Sequence, residues 1–318
     1  MSLEDDGLFS MDQPTPEPVH TTATNDRNLQ EVIHWFKRQK NIAERFGGIF
    51  RQAFDEVLDG PRTGRFNVED LEKTEKTYLG TKVEILVRAE FSLDRGRPMD
   101  YSVAGHQVDS KFTVRSNWTI PQEAIGHICL LMSADDASSQ FKVGLLRISD
   151  TNLNPGRNRD GKRGISRSGR DETHWLVPSG TLPKNILMQL SQSERTAIFR
   201  HSGGQGRTNE LFRVAQRELI DRKTLLTVAQ QADSPKRVRD ARIHLRNEGI
   251  LILGHQENHP AIARALGLPI PKKGSWVSAR VIPMNPDHPS NSAHAVIGGT
   301  SYILAPDEAP PEHGPLSY

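Results

Sequence analysis

The sequence predicts an α/β unit followed by a smaller α+β unit with a helix-turn-helix at its centre. Three observations predict it. Stretches with apolar residues at helical spacing precede an alternating hairpin pattern and two apolar runs of strand length. Between residues 225 and 250 a helix, a short turn, a capped second helix and a strand follow one another. The chain has 318 residues, 35% hydrophobic and 25% charged, which is long enough for two cores.

Residues 1–26 carry Glu4, Asp5, Asp6, Asp12 and Glu17, no Lys or Arg before residue 20, and few large apolar groups, so they read as a disordered acidic tail. From Asn28 to Val57, the positions Val32, Ile33, Phe36, Ile42, Phe46, Phe50 and Phe54 suggest helices. Val57-Leu58-Asp59-Gly60 resembles the K-x-D-G adenylation motif of DNA ligases with valine in place of the lysine. Without that amine no covalent nucleotide adduct forms, and the four residues read as a turn. Thr77–Leu93 has apolar residues at Leu79, Val83, Leu86, Val87 and Phe91, a helical period, with Glu84 beside the stripe near Gly80 and Arg88.

Met99–Phe112 then reads as a hairpin. With the turn at Ala104-Gly105, Val103 pairs with His106, Ser102 with Gln107, Tyr101 with Val108 and Asp100 with Asp109. Asp100, Asp109 and Lys111 fall on one face, and Tyr101, Val103 and Val108 on the other. Ala124–Met132 and Phe141–Ile148 are strand candidates. Residues 157–170 hold Arg157, Arg159, Lys162, Arg163, Arg167 and Arg170 against Asp160, with several glycines. They read as a flexible basic arm without an apolar anchor, able to contact a polyanion. Trp175–Pro183 closes the first unit, and the linker falls within 180–190. The domain bounds are 27–184 and 185–305, with a disordered tail at 306–318.

In the second unit, Leu225–Gln231 reads as a helix, Ala232-Asp233-Ser234 as a turn, and Pro235–Asn247 as a second helix capped by Ser234. Val238, Ala241 and Leu245 form its buried stripe. Lys236, Arg237, Arg239 and Arg242 form a basic face suited to DNA. Gly249 ends the helix and Ile250–Leu253 begins a strand, as in a winged helix. Ile262, Ala265 and Leu266 suggest a short helix, and Trp276–Ile282 and Ala295–Leu304 suggest strands broken at Gly298-Gly299.

Net charge is +2, so attraction to nucleic acid must come from local patches rather than the total. Cys129 is the single cysteine, which excludes an internal disulfide and a cysteine-built zinc site and fits a reducing cytoplasm. No signal peptide or membrane-length apolar run is visible. None of the twelve histidines forms a spaced metal cluster.

The candidate chemistry sits on the hairpin. Two carboxylates directly opposed across a strand pair repel. A divalent cation between them reverses the sign, because it takes carboxylate oxygens as ligands. Lys111, two residues beyond Asp109, adds an ammonium that stabilises a phosphoryl group under attack. Glu84 brings a third carboxylate from the preceding helix.

These residues carry a resemblance. Gly80-Thr81-Lys82-Val83-Glu84, Met99-Asp100-Tyr101 and Val108-Asp109-Ser110-Lys111-Phe112 resemble the active-site region of the NaeI-type (type IIE) restriction endonucleases, within the PD-(D/E)xK nuclease group. Further matches lie at Gln205–Phe212, Thr227–Gln231 and Gly249–Gln256, so the likeness spans roughly residues 27 to 305. It implies a restriction-endonuclease-like mixed sheet flanked by helices and a C-terminal winged-helix DNA-binding domain. It further implies Mg²⁺-dependent hydrolysis of double-stranded DNA by a homodimer, with a second DNA copy bound as effector. Asp100, Asp109, Glu84 and the Ser110 carbonyl would serve the metal, and Lys111 the attacking water. Two other readings remain: a monomeric nicking repair endonuclease of the same core, and a winged-helix regulator whose nuclease half is inert.

Overall fold

A computed structural model describes residues 26–231, 233–286, 288–289, 292–315 and 318. The expected tail at 1–25 lies outside them. Asp26 does not belong to that tail. Its carboxylate caps α1 (Arg27–Lys37) by accepting from the Leu29 N–H, and pairs with Arg147.

The first half continues with α2 (Ile42–Leu58), α3 (Gly60–Thr63) and α4 (Lys73–Glu90). Then come β1 (Asp94–Arg95), β2 (Tyr101–Val103), β3 (His106–Thr113), β4 (Thr119–Ile120), β5 (Ile128–Asp135) and β6 (Gln140–Arg147). The half closes with β7 (Leu153–Arg157), β8 (Arg163–Ile165), α5 (Arg167–Glu172) and β9 (His174–Thr181). The main sheet runs β1-β2-β3-β5-β6-β9. It is mixed: β3 and β5 are parallel and the other neighbours antiparallel.

One face of this sheet carries Tyr101, Val103, Val108, Leu130, Met132, Val143, Leu145 and Val177, and packs with α1, α2 and α4 around Phe36, Phe46, Phe50 and Phe54. The opposite face carries Cys129, Leu131 and Leu146, and a three-stranded sheet β4-β8-β7 covers part of it with Trp118, Ile120, Leu153 and Ile165. Burial on both faces explains why β5 is apolar without alternation.

That small sheet corrects the arm expected at 157–170. The segment is half of a hairpin followed by a short helix, and Ile165 is its apolar anchor, fully buried. Ser166 caps α5 through the Gly169 N–H, which turns the remaining basic residues into helix rather than loop.

Leu182 completes the first core, and Ile186 and Leu187 begin the next. The second half contains α6 (Ile186–Gln189), α7 (Gln192–Phe199), α8 (Gly204–Val214), β10 (Leu219–Asp221), α9 (Arg222–Ala229), α10 (Ser234–Leu245) and β11 (Ile250–Leu253). It ends with α11 (His259–Ala265), β12 (Ser275–Pro283), β13 (His294–Ile297) and β14 (Thr300–Leu304). β10, β11 and β14 all pair antiparallel with β12. Val238, Ala241 and Leu245 of α10 are buried as the periodicity requires. Gly298-Gly299, both at positive φ, turns β13 into β14.

Two boundaries shift. The N-cap of α10 is Asp233, with Ser234 already helical and Pro235 within the first turn. Ala232 lies outside the described residues. The helix stops at Leu245, because residues 246–248 tighten into a 3₁₀ turn that Gly249 ends at φ 72°. The expected disordered tail also fails at its described residues. Arg280 donates to the carbonyls of Pro306, Asp307 and Ala309, and Gly314 N–H to that of Arg246. The Tyr318 hydroxyl accepts from the Ile252 N–H, and its ring packs on His259. Backbone carbonyls and one aromatic ring thus hold a segment that composition alone marks as loose.

Candidate active site

The hairpin closes as its sequence predicts, with Tyr101 opposite Val108, Ser102 opposite Gln107 and Val103 opposite His106. Ala104 and Gly105 both have positive φ, 52° and 82°, which is the primed turn that matches strand twist. Alanine accepts this strained position, and register is fixed by the two-residue loop. Asp100 precedes β2, and one of its carboxylate oxygens accepts from the Ser110 N–H at 2.7 Å.

Asp109 is 7% exposed, yet its carboxylate is a charge acceptor on a strand with apolar neighbours. Lys111 Nζ lies 2.5 Å from Asp109 Oδ2 and 3.3 Å from the Ser110 carbonyl. On the other side, the Cys129 thiol faces the same Asp109 oxygen at 3.7 Å, since Cys129 is the register partner of Asp109 on β5. The Tyr101 hydroxyl bridges the Glu84 carbonyl and the Ser110 hydroxyl, 3.1 Å from each. It thereby ties α4 to β3 and sets where Glu84 is presented. Glu84 pairs with Arg88 one turn on, at 3.7 Å.

The electrostatics follow from burial and crowding. Asp100 is pushed up to about 6, first by burial and then by the neighbouring Asp109 and Glu84, against the pull of the Ser110 N–H. Glu84 and Asp100 open on a depression of about 460 Å³ that Arg88, Arg95, Gly96, Arg97, Pro98 and Met99 complete. Among the described residues, no three His, Cys, Asp or Glu side chains form a ready cation cage. The donor set still fits a hard divalent ion. Two neighbouring carboxylates, one on β3 and one just before β2 whose charge is disfavoured by burial and then by its like-charged neighbours, leave oxygens that a small cation with several waters would use.

Of the predicted site residues, Asp100, Asp109, Ser110 and Lys111 come together, and Glu84 reaches the same depression from α4. Sequence reasoning missed Arg88, Arg95 and Arg97 around that depression. The run Arg95-Gly96-Arg97-Pro98 between helix and hairpin was the available signal. The basic residues divide. Lys236 and Arg239 are exposed on α10, and Arg157 and Arg159 on the small hairpin, with Lys162 half-exposed. Arg237 is drawn to Asp233 and Gln205. Two more of the residues have partners within the chain. Arg163 pairs with Asp150 and donates to the Asn154 carbonyl. Arg242 donates to the Ile252 carbonyl at 2.8 Å and lies against the Tyr318 ring. Both guanidiniums are engaged in holding the fold.

The carboxylates of Glu84 and Asp100 and three guanidiniums around an open depression, with Asp109 and Lys111 joined to Asp100 through Ser110, suit an enzyme that acts on a phosphodiester. Comparison with protein families matches residues 30–311 to "Restriction endonuclease NaeI". The "Type II restriction enzyme NaeI" of Lentzea aerocolonigenes is 42% identical over 294 residues, covering 89% of this chain and 92% of that protein. The chain belongs to the NaeI restriction endonuclease family and is a site-specific DNA endonuclease. No helix among the described residues is long and apolar enough to cross a membrane.

Proposed function

We propose that this enzyme hydrolyses both strands of duplex DNA at a defined sequence, using Mg²⁺ at the Asp100–Asp109 pair. The observation that supports the reading is that the Asp100 carboxylate accepts from the Ser110 N–H at 2.7 Å while Asp109 and Lys111, one residue to either side of Ser110, lie 2.5 Å apart. Mg²⁺ bound there would supply Lewis acidity and an acidified water. Asp100 and Asp109 would hold the ion, the Ser110 carbonyl would add an oxygen, and Glu84 would complete the acidic rim. Lys111 swings from Asp109 toward the phosphate, orients the attacking water and neutralises charge as it grows on the non-bridging oxygens. Arg88, Arg95 and Arg97 draw the DNA backbone to the depression. No covalent enzyme intermediate is needed.

In this reading residues 27–184 form the endonuclease domain and 185–305 a winged-helix domain. Supporting the second is the order α8, β10, α9, α10, β11, β12, with β10 and β11 both flanking β12 and a basic, exposed N-terminal half on α10. The chain acts as a homodimer on a two-fold site, and its second half holds a further copy of the DNA that favours cutting. The test is digestion of a plasmid of known sequence with and without Mg²⁺, followed by mapping of the ends. Discrete double-strand ends that need Mg²⁺ support the reading. Nicks on one strand would favour a monomeric repair-type enzyme, and binding without any cutting an inert nuclease half.

A further inference from the structure

The sheet face that carries Asp109 and Lys111 does not end at the active site. Register places Lys111 beside Leu131, Leu131 beside Gly144, and Gly144 beside Trp175, so lysine and tryptophan share one row across four strands. At the usual spacing between strands that row spans roughly 14 Å. The next row on the same face holds Thr113, Ser133 and Lys142. Here the small sheet no longer covers the face, and a groove of about 770 Å³ opens, with Arg115, Lys142, Arg170 and Trp175 in its lining.

The groove has a built floor. A side chain at residue 144 would meet Thr173 Cγ2 at 2.5 Å and Trp175 Cε3 at 2.9 Å, so glycine is what lets the Trp175 ring lie over the sheet. Trp118, buried and donating from Nε1 to the Met132 carbonyl at 2.7 Å, braces that ring at 6.2 Å between centroids. Lys142 Nζ sits 5.9 Å from the Trp175 ring. Among the described residues none of Arg115, Lys142 and Arg170 lies within 4 Å of a carboxylate, and Arg115 acts on Glu69 only through space. The groove's one carboxylate, Asp135, accepts from the Ala137 N–H and the Ser138 hydroxyl.

We propose that this groove is a second DNA contact of the endonuclease half, a subsite for the strand flanking the cleaved phosphate. Arg115, Lys142 and Arg170 take its phosphates, and Trp175 packs on a deoxyribose between them. The proposal rests on the reading of Lys111 as the residue beside the cleaved phosphate. Three cations without a salt bridge around a rigid aromatic plate fit a polyanion with apolar sugar faces better than a small ligand. Phosphates of a duplex advance about 3.4 Å along the axis per strand and wind round it besides, so a site roughly 14 Å from Lys111 falls within about four nucleotides of the cut.

The experiment compares full-length wild type, Arg115→Ala/Lys142→Ala/Arg170→Ala, Trp175→Phe and Trp175→Ala on duplexes bearing the mapped site with long or short flanks. Affinity is measured against salt in EDTA, and cleavage in Mg²⁺ at saturating DNA. The triple variant is expected to flatten the salt slope by about 0.9 for each phosphate it no longer neutralises and to bind long and short flanks alike. Its maximal cleavage rate and melting temperature should stay close to wild type. Trp175→Phe should keep the flank preference and Trp175→Ala lose it. A triple variant with unchanged slope and unchanged flank dependence overturns the proposal. Asp109→Ala separates the two readings: if it still cuts, the catalytic assignment fails, while the salt slope continues to decide the groove.

Discussion

At the junction of the two halves, Arg51 reaches Asp55 at 2.8 Å and Asp136 at 2.6 Å, Lys223 reaches Asp55 at 3.2 Å, and Asn185 donates to Asp136 at 3.2 Å. Burial lifts the Asp55 carboxyl, and Arg51 and Lys223 pull it back in part. Each carboxylate there has a cationic partner within the chain. At the hairpin, by contrast, Asp109 has Lys111 and Glu84 has Arg88, but Asp100 has only the Ser110 N–H and two like charges beside it. The difference separates structural from functional burial of charge. A charge-balanced cluster closes on itself and fastens two halves together. A partly buried carboxylate with no ion pair among the described residues is costly to charge until a cation settles on it.

The largest effect that could break this contrast concerns catalysis. Asp109→Ala and Asp100→Ala should lose DNA cleavage by several orders of magnitude while keeping DNA binding, as read by parallel cleavage and gel-shift assays. Lys111→Ala should lose cleavage by a similar margin if its ammonium faces the growing negative charge. Robust cutting by any of the three would remove the hairpin from the mechanism.

Next in size is the junction. Arg51→Leu strands the Asp136 carboxylate and leaves Asp55 with Lys223 alone, and breaking a buried pair typically costs about 3–5 kcal/mol. Denaturant unfolding should register a loss of that order. A loss near zero would mean that the network is ornamental and that the comparison with the hairpin teaches nothing.

The pH response sharpens the contrast. Asp100 titrates near 6 in the folded chain, above its ordinary value of 3.8. Between those two values the folded state binds more protons than the unfolded one, so this group's contribution to metal-free stability is present below the lower value and lost as pH rises through the upper. Thermal melts should therefore show a larger Mg²⁺-induced gain at neutral pH than at mildly acidic pH. An equal gain at both would place the cation elsewhere.

The smallest effect lies on α10. Replacing Lys236 and Arg239 with alanine should flatten the salt dependence of duplex binding by about 0.9 per phosphate left without its cation. The same change at Arg242 should lower thermal stability instead, because that guanidinium holds the Ile252 carbonyl.

These contrasts also mark how far the sequence could be read. The hairpin register followed from side-chain alternation and a two-residue turn, both local, so Asp100, Asp109 and Lys111 could be placed on one face from the sequence alone. Apolar spacing and caps likewise marked α1, α2, α4, α9, α10 and α11, whereas α3 and α5 to α8 went unread. The junction network was illegible, since Arg51 and Asp136 lie 85 residues apart and nothing local pairs them. The basic stretch at 157–170 misled because one residue, Ile165, decides it, and composition outweighs a single anchor. Arg242 misled for the opposite reason. Its helical face was correct, but a neighbouring strand and the C-terminal tyrosine claim its side chain. The groove around Trp175 depended on rows across four strands, which only the sheet order reveals.

The most direct test of an Asp100 left without a partner is the stability of Asp100→Asn measured in EDTA and then in Mg²⁺. Removing one charge while keeping an oxygen for the Ser110 N–H should make the metal-free variant more stable than wild type at neutral pH. Mg²⁺ should then stabilise wild type and do little for the variant. A variant that is less stable than wild type in EDTA, or that gains as much from Mg²⁺, would show that the carboxylate pair is not a cation site waiting for its ion.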